Sequence, residues 1–315
     1  MTKLARPSLF LLVASAALAM TTTAVHASEV AVPTDCEVQD GFVVKPQTPY
    51  YAQDPDVART VSLGGSCVRC ELSGRDLSGA TFISATFTGS TLVGANLRGA
   101  ELVGSNFSGA DFSRADLRGA TLVGANFGSA RFIGASMAGV EGMGSVFTSA
   151  DLTSANLSGA ELAGANMNRA VLRRANLADA ELFGTTLANV DARSANFHGA
   201  SVDASNLSNG NFGAADFREA SLDGARLTGG SFAGTNFQGA TFERTDIRGT
   251  DLSGARGLTQ DQVSDACGDA STRLPRGLTV NVCRGRMATI RPPQPPQPPR
   301  APAPPRVRNV VVADR

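Results

Sequence analysis

The chain of 315 residues carries 28 basic and 28 acidic residues, so its formal net charge at pH 7 is zero. This balance argues against a partner that is bound mainly through net charge, and we predict that the protein binds no nucleic acid. With two histidines and five cysteines, the chain has few residues for a metal site, and we predict neither a metal nor a cofactor.

Residues 1–27 have the pattern of a cleaved secretory signal peptide. Lys3 and Arg6 precede an apolar run from Leu9 to Met20, and small residues stand at the third and first positions before Ser28. The apolar run is too short to span a bilayer, which argues against a retained membrane anchor. We therefore predict a mature chain that begins at Ser28 and is periplasmic or secreted.

Residues 28–69 lack the repeat that follows and contain several prolines, so we predict an irregular N-terminal cap. The spacing of Cys67 and Cys70 also occurs in metal and redox sites, but further metal ligands and a βαβ context are missing. Cys70 stands at an inward position of the repeat, where a thiol is a compact apolar filler. We predict a Cys36–Cys67 disulfide with Cys70 reduced, and pairing of Cys67 with Cys70 is the open alternative.

In residues 70–254 an apolar residue returns at every fifth position without an insertion or deletion. Between Leu72 and Leu252 there are 37 such positions, of which 18 are Leu and 13 are Phe, and 23 of the residues two places earlier are Ala. A period of five fits neither a helix nor an open strand. The pattern predicts a solenoid in which the large and the small residue both point inward.

Four units close one square coil of 20 residues, so residues 20 apart stack directly. Stacked coils lie about 4.8 Å apart and pair their backbones as parallel strands. The repeat therefore predicts an all-β solenoid, a quadrilateral parallel β-helix of about nine coils. The narrow lumen requires a small residue in every unit, because protein interiors leave few voids.

Units such as Ala95-Asn96-Leu97-Arg98-Gly99 resemble the pentapeptide-repeat family, in which Asn or Asp and a small residue precede a central Leu or Phe. The resemblance implies a right-handed quadrilateral β-helix. Gly142 departs from the pattern at a large position. Either bulky neighbours fill the missing volume, or a local bulge brings Met143 inward.

Residues 255–286 are predicted to form a C-terminal cap. Thr259 precedes acidic and amide residues, as helix N-caps do, so we predict a short capping helix from about Gln260 to Ala266. This ending is similar to that of secreted pentapeptide-repeat proteins. Cys267 and Cys283 bracket a loop of 15 residues, and we expect them to form a disulfide.

Residues 287–315 are predicted to be a disordered, basic, Pro-rich tail that favours polyproline II. From residue 284 onward the chain holds seven arginines and one acid. One interpretation is a solvated spacer. The other is a tether, which makes weak contact with an anionic envelope surface or adds Val310–Val312 to a sheet edge of a partner.

One face of the predicted square carries an apolar column over six consecutive coils. The residue after each large centre points outward, and on this face these residues are Ile83, Val103, Val123, Met143, Ala163 and Phe183. Exposed apolar patches of this kind mark interfaces, although branched residues are also common at outward strand positions. We hypothesise that the column binds an unknown protein partner or pairs two copies of the chain.

Acidic residues accompany this column. The column itself continues as Asp203, Asp223 and Glu243, and it is flanked by Glu101, Glu141, Glu161 and Glu181. Arginines on the neighbouring face could offset these charges, namely Arg98, Arg118 and Arg218.

For catalysis the sequence offers neither a Ser-His-Asp set nor a phosphate-binding loop, so we predict a non-catalytic interaction scaffold and no enzyme. The alternative follows from the resemblance, because some pentapeptide-repeat proteins imitate duplex DNA and bind type II topoisomerases. Such mimicry requires a strongly acidic surface, whereas residues 71–254 hold 18 acids and 13 arginines. A signal peptide would also separate the protein from a topoisomerase.

Overall fold

A computed structural model of the chain describes residues 65–283. The predicted signal peptide, the tail and most of the predicted N-terminal cap, including Cys36, lie outside the described residues. Between residues 65 and 283, no helix combines the length and the apolar character that a membrane crossing requires.

The repeat folds into a stack of coils in which each five-residue unit contributes one parallel bridge. From Ser66↔Thr86 to Asn236↔Arg256, every bridge joins residues 20 apart in sequence. Each bridge is isolated, and no strand of several residues occurs in the described part of the chain. The chain therefore forms a parallel β-helix, whose first bridge residue, Ser66, precedes the predicted start of the repeat at residue 70.

A tight turn follows each large residue. The amide of the next small residue donates to the carbonyl of the large one, as from Ala95 N to Leu92 O at 3.1 Å. The residue two places after the large one has positive φ, as at Gly94 (64°), which is the requirement of a type II turn. Sixteen non-glycine residues share this conformation, including Ala204 at 54°. The stacked coils thus impose the turn even where a side chain disfavours it.

The large and small residues fill the lumen of the β-helix. From Leu77 to Leu252 the large side chains are at most 3% exposed. Phenylalanine rings stack from coil to coil, as in Phe107, Phe127 and Phe147, whose ring centroids are 5.7 and 5.1 Å apart. Where Ser or Thr takes the small position, its hydroxyl donates to a backbone carbonyl, as Ser105 does at 2.6 Å. No buried side-chain N or O atom in the described part lacks a partner.

The neighbouring coil fills the space at Gly142. A Cβ atom added there would lie 2.8 Å from Leu162 Cδ2, because that side chain leans into the gap. Met143 remains outward and 40% exposed. A bulky neighbour therefore fills the space, but it is Leu162 of the next coil and not a residue of the same layer. The regular hydrogen bonds of Gly142 and Gly144 show that the alternative of a bulge is wrong.

Helix α1, Gln260–Asp265, interrupts the coil that follows the repeat. Thr259 is its N-cap and forms a capping box with Gln262. The Gln262 side chain also donates from Nε2 to Phe237 O at 3.0 Å and to Ala240 O at 2.7 Å. The helix thus supplies donors to carbonyls of the last complete coil. It ends one residue earlier than the sequence predicted.

The described residues contain two disulfides. Cys267 pairs with Cys283, as expected from the sequence, with their Cα atoms 5.0 Å apart. Cys67 pairs with Cys70 at a Cα–Cα distance of 5.6 Å, so the predicted Cys36–Cys67 bond is wrong. The physical reason is the register, because Cys67 takes a large position and Cys70 the next small one. The turn between them brings their Cα atoms within disulfide range.

Candidate interaction face

The six apolar residues from Ile83 to Phe183 lie in one column, which we call the apolar stripe. Backbone hydrogen bonds connect successive coils along it, as from Gly104 N to Val123 O at 2.9 Å and from Gly164 N to Phe183 O at 2.8 Å. The residues 20 apart in sequence are therefore direct neighbours in space. The structure brings the residues of the predicted partner-binding column together.

Exposure along the apolar stripe is greatest at two large side chains. Met143 is 40% and Phe183 38% exposed, whereas Ile83, Val103 and Val123 are half-buried. A flexible thioether and an aromatic ring adapt well to the surface of another molecule. Met143 and Phe183 are thus the two most exposed apolar side chains of this face.

A second column, which we call the glutamate ladder, runs beside the apolar stripe. Parallel bridges join Glu141 to Glu161 and Glu161 to Glu181, and Glu101 stands two coils before Glu141. All four side chains are exposed. Within residues 65–283 these carboxylates make neither an ion pair nor a side-chain hydrogen bond. Like charges on adjacent strands repel, so the ladder lowers the stability of its own coils.

Two of the three arginines on the neighbouring face, Arg118 and Arg218, bind the aspartate two residues earlier. Arg118 Nε donates to Asp116 Oδ1 at 2.8 Å, and Arg218 Nε donates to Asp216 Oδ1 at 2.9 Å. The hydrogen bonds from these guanidinium groups lower the pKa of both aspartates, and the charge of Arg98 lowers the pKa of Asp116 further. The structure thus does not show the offset of the glutamate ladder that the sequence suggested.

Unpaired backbone amides run along the apolar stripe. On the neighbouring face the equivalent amide usually donates to an Asn or Asp two residues earlier, as from Ser158 N to Asn156 Oδ1 at 3.2 Å. The amides of the stripe, from Ile83 to Phe183, have no hydrogen-bond partner in the described part of the chain. Beyond the stripe, the amide of Asp223 donates to Asp203 Oδ1 at 2.9 Å, and the amide of Glu243 donates to Asp223 Oδ1 at 2.8 Å. The stripe therefore presents backbone donors together with apolar side chains.

The sequence contained the signal for these amides. On the face of the apolar stripe, the residue directly before each large residue is Glu or Thr as far as Leu182. The same position on the neighbouring face is mostly Asn or Asp. Glutamate is long enough to accept such a bond, since Glu71 Oε1 accepts from Ser73 N at 2.8 Å. The glutamates of the ladder do not do so, which leaves both their carboxylates and the amides available to another molecule.

Replacing Glu161 by Asn should stabilise the protein. The Asn side chain would accept the amide of Ala163, a hydrogen bond with a net contribution of about 0.5–1.5 kcal/mol, and the change removes repulsion from Glu141 and Glu181. We expect the free energy of unfolding in urea to rise by about 1 kcal/mol. Glu161→Thr is the matched control, because it removes the charge and supplies no amide acceptor, as Thr121 does beside Val123. Equal stability of the two variants would contradict the prediction.

The described residues show little chemistry for catalysis. No group of His, Cys, Asp and Glu among residues 65–283 could hold a metal ion. His198 Nε2 lies 3.9 Å from Glu219 Oε2, and both side chains are on the open surface.

Comparison with known protein families identifies the repeat. The chain matches the family described as Pentapeptide repeats in eight overlapping copies that together cover residues 66–254. No curated protein matches the chain.

Solved structures similar to the chain include the following three proteins. HetL, a pentapeptide repeat protein involved in heterocyst differentiation regulation from the cyanobacterium Nostoc sp. strain PCC 7120, is 28% identical, with 62% of this chain and 87% of HetL covered and a TM-score of 0.35. QnrB1, a plasmid-mediated fluoroquinolone resistance protein, is 19% identical over 64% of this chain and 91% of its own, with a TM-score of 0.38. A pentapeptide repeat protein from the Arabidopsis thaliana thylakoid lumen is 32% identical over 38% and 63%, with a TM-score of 0.17.

Proposed function

Because the chain belongs to the pentapeptide-repeat family, whose members are generally non-catalytic, we propose that it is a protein-interaction scaffold. The family forms a right-handed β-helix, and we propose about nine coils of it with α1 as the C-terminal cap. The partner is a protein, or a second copy of this chain, that binds the apolar stripe. The scaffold contributes rigidity, since every coil is hydrogen-bonded to the next.

One observation supports this proposal above the others. Met143 and Phe183 stay exposed on a column that is apolar over six coils, although polar residues such as Ser113 and Arg118 take the same outward position elsewhere in the repeat. Continuous exposed apolar surface marks interaction sites in soluble proteins. The unpaired amides and the glutamate ladder beside it supply hydrogen-bond donors and acceptors that give such a contact its specificity.

We further propose that the protein is exported to the periplasm or the medium. The support is the sequence of residues 1–27, which has the charge, apolar run and small residues of a signal peptide. Two disulfides among the described residues agree with an oxidising compartment. The alternative, a mimic of duplex DNA that binds a type II topoisomerase, has less support because residues 71–254 carry 13 arginines against 18 acids.

The test introduces charge into the apolar stripe. We expect Met143→Asp with Phe183→Asp to weaken association with a partner by about tenfold or more, because exposed anchors of this size dominate interfaces. Association is measured by affinity capture from the envelope fraction and by sedimentation of the purified chain. Val93→Asp with Ile133→Asp is the matched control, since these residues take the same outward position on the opposite face. Equal retention of partners by both variants and the unaltered chain would refute the proposed function.

A further inference from the structure

We propose that the apolar stripe is covered by this chain's own proline tract, Pro292–Pro299, bound as a polyproline II helix. The inference rests on the proposed function, because it assigns a regulator to the same face. The tract reads Pro-Pro-Gln-Pro-Pro-Gln-Pro-Pro and has an arginine at each end, Arg291 and Arg300. Its length, period, hydrogen-bonding groups and charge each match a described feature of the face.

The tract and the apolar stripe have the same length. Ile83 and Phe183 are separated by five coil steps, which at about 4.8 Å each make about 24 Å. Eight residues of polyproline II at about 3.1 Å each extend about 25 Å. The tract therefore covers the stripe from one end to the other.

The two also have commensurate periods. One turn of polyproline II takes three residues and rises about 9.3 Å, while two coils of the β-helix rise about 9.6 Å. The Pro-Pro-Gln triplet has the same three-residue period, with Gln294 and Gln297 at equivalent places. Each triplet thus meets the stripe in the same way on every second coil.

Hydrogen-bonding groups are complementary as well. Polyproline II has no internal hydrogen bonds, so its carbonyl groups are free acceptors, and proline has no amide to donate. The amides of the stripe are donors without an acceptor in the described part of the chain. Apolar and aromatic side chains are the usual surface for proline rings, and Met143 and Phe183 provide it here.

The charges of the two segments are opposite. From residue 284 onward the chain has seven arginines and one acid, whereas the glutamate ladder carries four carboxylates without an ion pair within residues 65–283. The guanidinium groups of Arg291 and Arg300 would find carboxylates of the glutamate ladder near both ends of the stripe, at Glu181 and Glu101. Charge-assisted bonds between Arg and carboxylate are among the strong polar contacts of proteins.

The chain is long enough to make this connection without crossing to another molecule. Cys283 is bonded to Cys267 by the disulfide. Backbone bridges join Arg226 to Asp246 and Asp246 to Cys267, so Cys267 lies two coils beyond Arg226. From Cys267 to the coil of Phe183 is four coil steps, about 19 Å. The eight residues from Cys283 to Arg291 reach about 26 Å when extended, so the linker is long enough for Arg291 to reach the coil of Phe183 within the same chain. A docked tract would compete with any partner for the stripe.

Hydrogen exchange of the stripe amides tests the inference in the full chain. We expect these amides to exchange about tenfold more slowly in the unaltered chain than in a variant with Pro293→Gly, Pro295→Gly and Pro296→Gly. The control variant has Pro302→Gly, Pro304→Gly and Pro305→Gly, outside the tract, and should keep the protection. Exchange that is equally fast in all three chains would overturn the inference. Protection that increases with protein concentration would assign the tract to a second copy and overturn docking within one chain.

The same measurements separate this inference from the proposed function. If the proline variants change nothing while Met143→Asp with Phe183→Asp loses its partner, the tail inference is wrong and the interaction face stands. If the proline variant exposes the stripe and partner capture rises, both are supported. If the stripe variant also leaves association unchanged, the proposed function is wrong as well.

Discussion

Replacing Phe127 by Ala is expected to lower the free energy of unfolding by about 3–5 kcal/mol. Phe127 is fully buried, stacks on Phe107 and Phe147, and meets Phe112 and Phe132 edge to face at 5.7 and 5.4 Å. The lumen is closed by backbone hydrogen bonds on every coil, so the neighbours cannot move inward to fill the cavity. Urea unfolding followed by circular dichroism measures the loss.

Phe127→Leu is the matched control, because Leu occupies 18 of the 37 large positions and fits the same backbone. We expect this variant to lose less stability than Phe127→Ala, since most of the volume is retained. Each coil of a solenoid contacts only its neighbours, so the damage should concentrate in the coils beside Phe127 and appear as faster hydrogen exchange there. A loss below about 1 kcal/mol for Phe127→Ala would show that the lumen relaxes, and would contradict the prediction.

The sequence predicted the core because a period of five allows the backbone few alternatives. Once every fifth residue must face the lumen, the positions from Leu77 to Leu252 are inward whatever their identity, and the structure buries them. The stacking of residues 20 apart follows from the same period. The predicted Cys36–Cys67 pairing is wrong because it rests on a repeat that begins at residue 70, whereas the first bridge is at Ser66. With Cys67 in register, its partner in the same turn is Cys70.

Side-chain pairing on the surface was less predictable than the core. The sequence placed Arg118 close enough to offset the glutamate ladder, but its guanidinium binds Asp116 two residues earlier. A local bond of this kind needs no ordering of a distant side chain, so it has the smaller entropic cost. The unpaired amides are not predictable from residue type alone, because the glutamate at this position accepts the amide at Glu71 and does not do so in the glutamate ladder. Both features matter for the candidate face, since they leave its carboxylates and donors unoccupied.

Replacing Cys267 and Cys283 by Ser is expected to cost about 3 kcal/mol, the loop-entropy value for a closed loop of about 15 residues. The bond reinforces the segment that follows α1, which is also attached by the backbone bridge between Gly268 and Val282, by Gln260 to Thr279 and by Asn281 to the Ser264 carbonyl. Loss of the bond should therefore release this segment before the coils unfold. Hydrogen exchange of residues 276–283 and the midpoint of thermal unfolding would record the two effects.

Two controls sharpen this expectation. Adding a reductant to the unaltered chain should reproduce the C-terminal effect, and Cys67→Ser with Cys70→Ser should cost less in loop entropy because only two residues separate that pair.

The C-terminal bond also bears on the apolar stripe, because it fixes the point from which Pro292–Pro299 must reach Phe183. Without the bond the tract begins from a longer free segment, so its effective concentration at the stripe falls. Protection of the stripe amides should then decrease although no residue of the stripe or the tract has changed, and undiminished protection would show that the disulfide does not position the tail.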